Sequence, residues 1–216
     1  MLKKDNDLSR NNLFLLISLI ILIFIIPVFN AYSFVKILYD VFISVLLFLM
    51  VFTIKTYRKK LIIVAIISII LKWIPDKSDQ SIIQVISQAW NILFIIFIVV
   101  MLIVQVAKSK KVSTNVILES INGYLLLGFV GAIFVILVDI FQNGAFNVST
   151  SGAMHFSDAI YYSFVTITTL GYGDITPMSD LARSVSIFFS VVGQLYLTIL
   201  IAMLVGKFLV QYQAKE

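Results

Sequence analysis

Charged side chains are scarce in this 216-residue sequence: only 12% of the residues are charged, whereas 61% are hydrophobic. A soluble domain contains about 25% charged residues, so much of the apolar surface must face a medium other than water. Cysteine is absent, which excludes disulfide bonds across any loop. The apolar stretches also lack clusters of His, Asp and Glu. Without them we expect no intramembrane catalysis, no catalytic residue and no cofactor-binding residue of an enzyme.

Long apolar runs dominate the sequence instead, and most of them approach the length of about 20 residues that a helix needs to cross a bilayer. Six runs qualify or come close: Leu13–Phe29, Ile37–Ile54, Leu61–Ile74, Ile82–Val106, Ile121–Phe141 and about Leu181–Leu209. The third is the shortest, with about 21 Å of helix. These runs predict an all-α membrane protein with six transmembrane helices, located in a plasma membrane or a bacterial inner membrane.

Lysine and arginine are distributed unevenly over the segments between these runs. If the N-terminus lies inside the cell, twelve of the 16 basic residues fall on the inner side and four on the outer side. Cytoplasmic segments carry the excess of Lys and Arg in membrane proteins, so both termini are predicted to be cytoplasmic. The net charge of +5 belongs to these segments, and we expect no nucleic-acid partner.

The outer segment Gln142–Ser179 contains an apolar stretch, Ala159–Ile167, that is too short to span the bilayer. Ser157 and Asp158 precede this stretch and are residue types that cap helix N-termini. A helix from Ser157 to Thr168 is about 18 Å long, enough to reach the middle of the membrane. We therefore predict a re-entrant helix, after which the chain returns in a non-helical conformation.

The returning segment has the sequence Thr169-Leu170-Gly171-Tyr172-Gly173-Asp174. Glycines on both sides of a tyrosine permit backbone conformations with positive φ, so that successive carbonyl groups can turn to the same side. One such strand offers too few oxygens to replace the hydration shell of a cation, whereas four strands around an axis offer rings of them. Because the sequence has one segment of this kind, four chains must assemble.

This segment resembles the selectivity filter of the potassium channel superfamily, whose signature is commonly written T-V-G-Y-G-D, with Leu170 in place of the valine. The resemblance covers about Ile121–Leu209. It implies an outer helix, a re-entrant pore helix, the filter and an inner helix, assembled as a C4 homotetramer that conducts K⁺. It also implies that K⁺ is coordinated by the backbone carbonyls of four residues, namely Thr169, Leu170, Gly171 and Tyr172.

The same resemblance gives expected roles to residues around the filter. Gly173 and Asp174 support it, and Asp174 lies at the outer mouth. Tyr161 and Tyr162 occupy pore-helix positions where relatives carry aromatic residues that brace the filter. Either their hydroxyl groups bond Asp174 or the Tyr172 hydroxyl, or the two rings merely pack at the membrane interface.

The last span carries the expected cavity and gate. Gly193 matches the hinge glycine of many relatives, although close helix packing explains a glycine equally well. Gln194 is predicted to face the water-filled cavity below the filter. Leu197, Ile201 and Val205 form an apolar stripe that either closes the inner mouth by dewetting or forms the seam of the helix bundle. Three glycines of the outer helix are expected to be packing residues: Gly123, Gly128 and Gly131.

The first four spans resemble those of voltage-gated channels in topology alone. A voltage sensor needs several basic residues in its fourth span, because each charge that crosses the field contributes about 2.3 kcal/mol per 100 mV. The run Ile82–Val106 contains no Lys or Arg, so we expect no conventional voltage sensing. Its polar residues are expected to form hydrogen bonds between helices or to line a crevice. The predicted organisation is a voltage-sensor-like domain over residues 1–106, an interfacial linker over 107–120 and a pore domain over 121–216.

The sequence thus predicts passive, selective K⁺ conduction, gated at the filter, gated by lipid or membrane tension, or constitutively open. A weakly selective cation channel and a subunit of a potassium-uptake transporter are the alternatives. The intact Gly-Tyr-Gly core argues against the first, and the single pore repeat argues against the second. Membrane lipids are expected partners. With seven residues after Leu209, no cytoplasmic ligand-binding domain is expected in this chain.

Overall fold

The computed structural model describes residues 2–29, 32, 34–73, 82–109, 111–148 and 154–213. The chain divides into two compact units, Met1–Gly123 and Tyr124–Glu216. Within the described residues, both units are almost entirely helical, as predicted for an all-α membrane protein.

The first unit contains four helices and the start of a fifth. Their bounds are α1 Leu2–Ile20, continued by a π-helical turn Ile21–Ile25 and a 3-10 turn Ile26–Phe29, then α2 Val35–Thr53, α3 Arg58–Lys72, α4 Ile82–Ala107 and α5 Thr114–Phe141. Successive helices pack on each other, α1 against α2, α2 against α3 and α3 against α4. The first four helices therefore form a bundle of sequence neighbours.

The change of helix type after α1 has a cause in the sequence. Pro27 has no N–H to donate, and in a regular α-helix its ring would collide with the carbonyl group of Ile23. The wider π turn Ile21–Ile25 precedes the proline, and the tighter turn Ile26–Phe29 contains it. The first apolar run thus continues to Phe29 without a regular α-helical hydrogen-bond ladder.

The core of the first unit consists of apolar side chains at helical spacing. Fully buried side chains come from three helices: Leu15, Leu19 and Leu22, then Leu46, Leu47 and Met50, then Ile95, Ile98 and Leu102. Intervals of three and four residues place the members of such a set on one helix face. Large apolar side chains such as Phe14, Ile63 and Ile70 remain exposed, which is the surface that a lipid environment would cover.

Polar links join helices of the first unit. Lys72 Nζ of α3 lies 2.6 Å from Asp40 Oδ1 of α2. Gln105 of α4 accepts a hydrogen bond from the Lys55 N–H at 3.0 Å and donates one to the Thr53 carbonyl at 3.1 Å. Gln105 therefore has the first of the two roles that the sequence predicted for polar residues of this span.

The second unit contains most of α5 and four further elements: β1 Phe146–Asn147, α6 Phe156–Ile167, β2 Thr176–Pro177 and α7 Asp180–Gln213. The two short strands pair antiparallel, with Phe146 opposite Pro177. Because α5 begins at Thr114, the last part of the predicted linker 107–120 belongs to the same helix as the predicted outer span.

Among the described residues, five helices are long and apolar enough to cross a membrane: Leu8–Phe29, Val35–Thr53, Ala89–Ala107, Thr114–Phe141 and Asp180–Gln213. The protein is thus a multi-pass membrane protein. The predicted third span corresponds to α3, whose 15 residues cover about 22 Å, less than a hydrocarbon core of about 30 Å. Its predicted end at Ile74 lies outside the described residues, and a total of six spans stays a prediction.

Candidate functional site

The helix α6 begins at Phe156, and its N-cap residue is His155. The prediction that Ser157 or Asp158 caps this helix was therefore wrong. Asp158 lies in the first turn instead, where its Oδ2 accepts a hydrogen bond from the His155 N–H at 3.1 Å. A carboxylate in the first turn also interacts favourably with the positive end of the helix dipole, so Asp158 still stabilises this end of α6.

Two glycines of α5 allow α6 to approach closely. A Cβ atom at Gly128 would lie 2.5 Å from Phe164 Cζ and 2.8 Å from Ile167 Cδ1. Ser163 Oγ donates a hydrogen bond to the Gly128 carbonyl at 2.7 Å, and a Cβ atom at Gly131 would collide with the same hydroxyl group. The predicted packing role of Gly128 and Gly131 is confirmed.

The carbonyl group of Ile167, the last residue of α6, is contacted from both α5 and α7. A Cβ atom at Gly193 would lie 2.7 Å from the Ile167 carbonyl oxygen and 2.8 Å from Ile167 Cβ. The Tyr124 hydroxyl donates to the same carbonyl at 3.3 Å, and the Tyr124 ring lies 5.7 Å from the Tyr196 ring. Close packing therefore accounts for Gly193, while a hinge at this residue stays a prediction.

The segment that follows α6 folds its N–H groups back onto the end of the helix. The N–H groups of Leu170 and Gly171 both donate to the Val165 carbonyl, at 3.0 and 3.2 Å. The Thr169 N–H donates to the Thr166 carbonyl at 3.1 Å. The last carbonyl groups of a helix have no partner inside the helix, and here the returning segment supplies it.

The backbone of the returning segment repeatedly enters the left-handed region. Thr169, Gly171 and Gly173 have φ angles of 62°, 57° and 80°. Leu170 and Tyr172 lie between them and do not have positive φ. The positive φ of the two glycines was predicted from the sequence, and such alternation allows successive carbonyl groups to face the same side. Thr169 was not foreseen, because a non-glycine residue in this region carries a cost of about 1–3 kcal/mol.

The carbonyl oxygens of Thr169, Leu170, Gly171 and Tyr172 accept no hydrogen bond from the part of the chain that the structure describes. Their side chains are also uncovered, since Leu170 is 55% exposed and Tyr172 is 67% exposed. Buried peptide carbonyls require a partner, so a row of free ones in a membrane protein needs water, another chain or a cation. The row can replace the water around a cation, and the Thr169 hydroxyl can add one more oxygen.

Tyr161 forms a hydrogen bond with Asp174, which follows this segment. Its hydroxyl donates to Asp174 Oδ2 at 2.5 Å, and Asp174 Oδ1 accepts a hydrogen bond from the Ile175 N–H at 3.1 Å. The bond from Tyr161 lowers the pKa of Asp174, and the same bond is the main cause that raises the pKa of Tyr161 to about 12. Asp174 is therefore ionised at neutral pH and places a negative charge beside the segment. The sequence named this pair as one of its possible contacts.

Tyr162 has a different partner. Its hydroxyl lies 2.6 Å from Ser186 Oγ of α7, and its ring packs edge-on against the Phe146 ring at 5.1 Å. Phe146 lies in β1, whose pairing with β2 attaches the residues after Asp174 to the preceding loop. The Met178 N–H also donates to the Ala145 carbonyl at 2.8 Å. Tyr162 thus attaches the pore helix to α7 and to the loop before it, through Ser186 and Phe146.

One face of α7 packs inside the second unit, through the buried residues Ala182, Phe189 and Gly193. The other predicted cavity and gate residues lie elsewhere on the helix, where Leu197 is half-buried and three are exposed, namely Gln194, Ile201 and Val205. At 3.6 residues per turn, these four residues form a separate stripe. The stripe offers a mostly apolar surface to other copies of the chain, to lipid or to a cavity, and its assigned roles stay predictions.

The sequence did not indicate two features of this site. One is the left-handed conformation of Thr169, because a threonine gives no signal for positive φ. The other is the set of contacts at the Ile167 carbonyl, which depends on which helices meet. A polar hydroxyl on Tyr124, at the start of the apolar run Leu125–Val138, was the available signal for a hydrogen bond inside the bundle.

Comparison with known proteins connects this geometry to a family. Residues 122–210 match the family described as ion channel. The hyperpolarization-activated voltage-gated potassium channel of Methanocaldococcus jannaschii is 33% identical over 81 residues, which are 38% of this chain and 35% of the relative. Two-pore potassium channel 2 of Arabidopsis thaliana is 49% identical over 45 residues, 21% and 10% of the two chains. Potassium voltage-gated channel subfamily KQT member 1 of Squalus acanthias is 32% identical over 96 residues, which are 43% of this chain and 14% of the relative. These matches span at most 35% of the length of the three relatives.

Proposed function

We propose that this chain is one subunit of a homotetrameric channel that conducts K⁺ passively and selectively. Its similarity to ion channels over residues 122–210, and to relatives named potassium channels, supports the proposal. The observation that carries the proposal is the row of free carbonyl oxygens from Thr169 to Tyr172. The left-handed residues in and beside that row turn its oxygens to one side. A row of oxygens of this kind can coordinate a cation that passes along it.

Selectivity in this proposal comes from replacement of water by carbonyl oxygens. Four copies around an axis place four oxygens at each level, and two successive levels surround an ion that has lost its hydration shell. The N–H groups of Leu170 and Gly171 stay bonded to Val165, so the carbonyl groups keep their orientation when an ion leaves. The C-terminal end of α6 carries a partial negative charge, which favours a cation at the inner end of the row.

The exposed surface of the single chain supports assembly of four copies. Leu170 and Tyr172 would be buried against neighbouring subunits rather than against lipid or water. The stripe of Gln194, Leu197, Ile201 and Val205 on α7 would then line the inner part of the pore. Gln194 would face a wet cavity, and the three apolar residues would narrow the inner mouth, where a hydrophobic constriction gates by dewetting.

The remaining parts of the proposal concern the membrane and the first four helices. The distribution of Lys and Arg supports cytoplasmic termini and an outer position for Asp174. Ile82–Val106 contains no Lys or Arg, so the channel would not open by movement of basic residues through the membrane field. Lipid, membrane tension or the filter itself would set its open probability.

The substitution Gly171→Ala tests the filter against a matched glycine. Gly171 and Gly144 both have positive φ, 57° and 76°, and a Cβ atom added at either meets nothing within 4 Å in the chain. Both alanine variants therefore strain the backbone by a similar amount, but Gly144 lies in the loop before β1. In liposomes, we expect Gly171→Ala to lose about tenfold or more of its K⁺-over-Na⁺ flux ratio, while Gly144→Ala keeps it. Equal behaviour of the two variants would contradict the proposal.

A weakly selective cation channel is the second candidate, and Leu170 in the place of the usual valine is the observation that favours it. The leucine side chain is larger than that of valine, so it would change how closely the subunits pack around the filter. A wild-type flux ratio near unity would support this candidate, and Leu170→Val would then be expected to raise the ratio.

A further inference from the structure

A chain of three amides and one buried carboxylate runs through the first unit. Asn12 Nδ2 of α1 donates to Asn115 Oδ1 at 2.6 Å, and Asn115 Nδ2 donates to Glu119 Oε1 at 2.7 Å. Asn122 Nδ2 donates to the Asn12 carbonyl oxygen at 2.9 Å. Asn115, Glu119 and Asn122 follow each other at intervals of four and three residues, so they share one face of α5. That face meets Asn12.

Three oxygen atoms of this cluster have no donor among the described residues: Asn12 Oδ1, Glu119 Oε2 and Asn122 Oδ1. All three residues are completely buried, with 0% exposure. A buried acceptor without a partner costs about 1–3 kcal/mol, and three in one cluster add to each other. These three oxygens therefore require a cation or hydrogen-bond donors as neighbours.

The hydrogen bonds fix which atoms lack a partner. The Glu119 carboxylate accepts from Asn115, so the amide nitrogen of Asn115 must point to it. The Asn115 oxygen then faces Asn12, and exchange of oxygen and nitrogen in Asn12 would place two oxygens 2.6 Å apart. Asn122 is held in the same way, because its nitrogen donates to a carbonyl group. The atoms without a partner are therefore all oxygens.

We infer that Asn12, Glu119 and Asn122 form a binding site for one small monovalent cation of the size of Na⁺. One cation coordinates several oxygens at once, and the hydrogen bonds among Asn12, Asn115, Glu119 and Asn122 hold these residues in one cluster. A single water molecule has two hydrogens and leaves one oxygen without a donor, and a proton on Glu119 Oε2 satisfies that atom and one amide oxygen. A divalent ion is disfavoured, because Ca²⁺ sites usually gather several carboxylates and this cluster has one.

Lys55 is the competitor of the bound cation. Its Nζ lies 3.4 Å from Glu119 Oε1, and its side chain is 39% exposed. Lys55 balances the charge of Glu119 when the site is empty. Because a large part of Lys55 already reaches the surface, it can turn toward water when a cation takes over that balance. Cation binding then fastens α1 to the beginning of α5 within the first unit.

Thermal unfolding of the full chain in detergent tests this site. Both tryptophans of the sequence, Trp73 and Trp90, lie in the first unit, so tryptophan fluorescence follows the unit that holds the cluster. Na⁺ replaces choline at constant ionic strength and at constant K⁺ and pH, which keeps any ion bound elsewhere unchanged. Above the dissociation constant, we expect the unfolding midpoint to rise by about 3–5 °C for each tenfold increase in Na⁺.

Three variants separate the cation site from an ordinary ion pair. Glu119→Gln keeps the shape of the side chain and is expected to abolish the Na⁺ response. Lys55→Met removes the competitor and should produce the response at about tenfold lower Na⁺ concentration. Lys59→Met, an exposed lysine at the start of α3, removes the same charge without touching the cluster and should behave as wild type.

The inference is overturned if wild-type protein shows no Na⁺ dependence, which means that water fills the site. It is also overturned if the midpoint follows pH and ignores Na⁺, which means that Glu119 holds a proton. A Glu119→Gln variant that folds and keeps the wild-type Na⁺ response would contradict it as well. The wild-type titration decides the question even if a variant fails to fold. These outcomes do not depend on ion conduction, so failure of this inference leaves the proposed channel function untouched, and the reverse also holds.

Discussion

A single hydrogen bond, from Tyr161, lowers the pKa of Asp174 at the end of the carbonyl row. Asp174 has its ordinary pKa at 3.8, and the bond lowers it. The contribution of this carboxylate to stability is therefore present above pH 3.8 and is lost as the pH falls through the lower, folded value. The pKa of Tyr161 is raised from 10.0 to about 12, so its contribution is present below pH 10 and is lost as the pH rises through about 12. Between these limits the pair is intact.

The variant Tyr161→Phe removes the donor and leaves the ring. We expect the pKa of Asp174 to return toward its ordinary value, so that acid on the outer side reduces the single-channel K⁺ current at a higher pH than in wild type. Single-channel recording in planar bilayers at a series of outer pH values measures this midpoint. Tyr162→Phe is the control, because its hydroxyl contacts Ser186, and its midpoint should stay at the wild-type pH. An unchanged midpoint in Tyr161→Phe would show that Asp174 does not depend on this bond.

Part of this site was predictable residue by residue. Gly171 and Gly173 indicate positive φ because glycine has no Cβ. The contact of Tyr161 with Asp174 was one of the alternatives that the resemblance to potassium channels implied. Thr169 adopts the same conformation without any such signal. The hydrogen bonds of Leu170 and Gly171 to the Val165 carbonyl accompany this conformation, and the residue types alone do not indicate these bonds.

At the scale of helices, α6 is held by close contacts at its C-terminal end. Gly128 of α5 and Gly193 of α7 both lie against Ile167 or its neighbour Phe164, so neither helix can gain a methyl group at these points without moving α6. The helix starts were less predictable than this packing. α6 begins at Phe156 because His155 serves as its N-cap, and histidine is not among the residue types that signal one.

The variants Gly193→Ala and Gly206→Ala separate helix propensity from packing. Alanine favours a helix over glycine by about 1 kcal/mol, and both glycines lie in α7. A Cβ atom at Gly206 meets nothing within 4 Å in the chain, whereas at Gly193 it lies 2.7 Å from the Ile167 carbonyl oxygen. We expect Gly206→Ala to be neutral or stabilising. Gly193→Ala should destabilise the protein by about 1–3 kcal/mol and reduce the K⁺ current.

Thermal unfolding in detergent, followed by single-channel recording, measures both effects. Close packing at Gly193 is contradicted if Gly193→Ala is as stable as Gly206→Ala and conducts normally. That result would mean that the contact at Ile167 relaxes without consequence, and that Gly193 is kept for flexibility rather than for space.

At the scale of the whole molecule, the apolar runs were sufficient to predict a multi-pass helical protein, because a span is set by length and composition. The interior of the first unit was not predictable in the same way. Asn115, Glu119 and Asn122 share a helix face at regular spacing, which is a visible pattern. Their partner Asn12 lies more than a hundred positions away, with a separation of 103 residues from Asn115, and no periodicity connects residues over that distance.

The first four helices should respond weakly to voltage. Each elementary charge that crosses the field contributes about 2.3 kcal/mol per 100 mV, and Ile82–Val106 supplies no basic residue. We expect open probability to change little between negative and positive voltages, with an effective gating charge of about one or less. Steady-state single-channel recording over a wide voltage range gives this number. A steep curve that requires several elementary charges would mean that charged groups outside this helix move through the field.

The reversal potential of the purified wild-type protein, with K⁺ on one side of a planar bilayer and Na⁺ on the other, tests the central claim most directly. If carbonyl oxygens from Thr169 to Tyr172 replace the water around K⁺, the current should reverse far from zero, on the side that marks K⁺ as the permeant ion. A reversal potential near zero would mean that both ions pass equally well, and it would contradict the account.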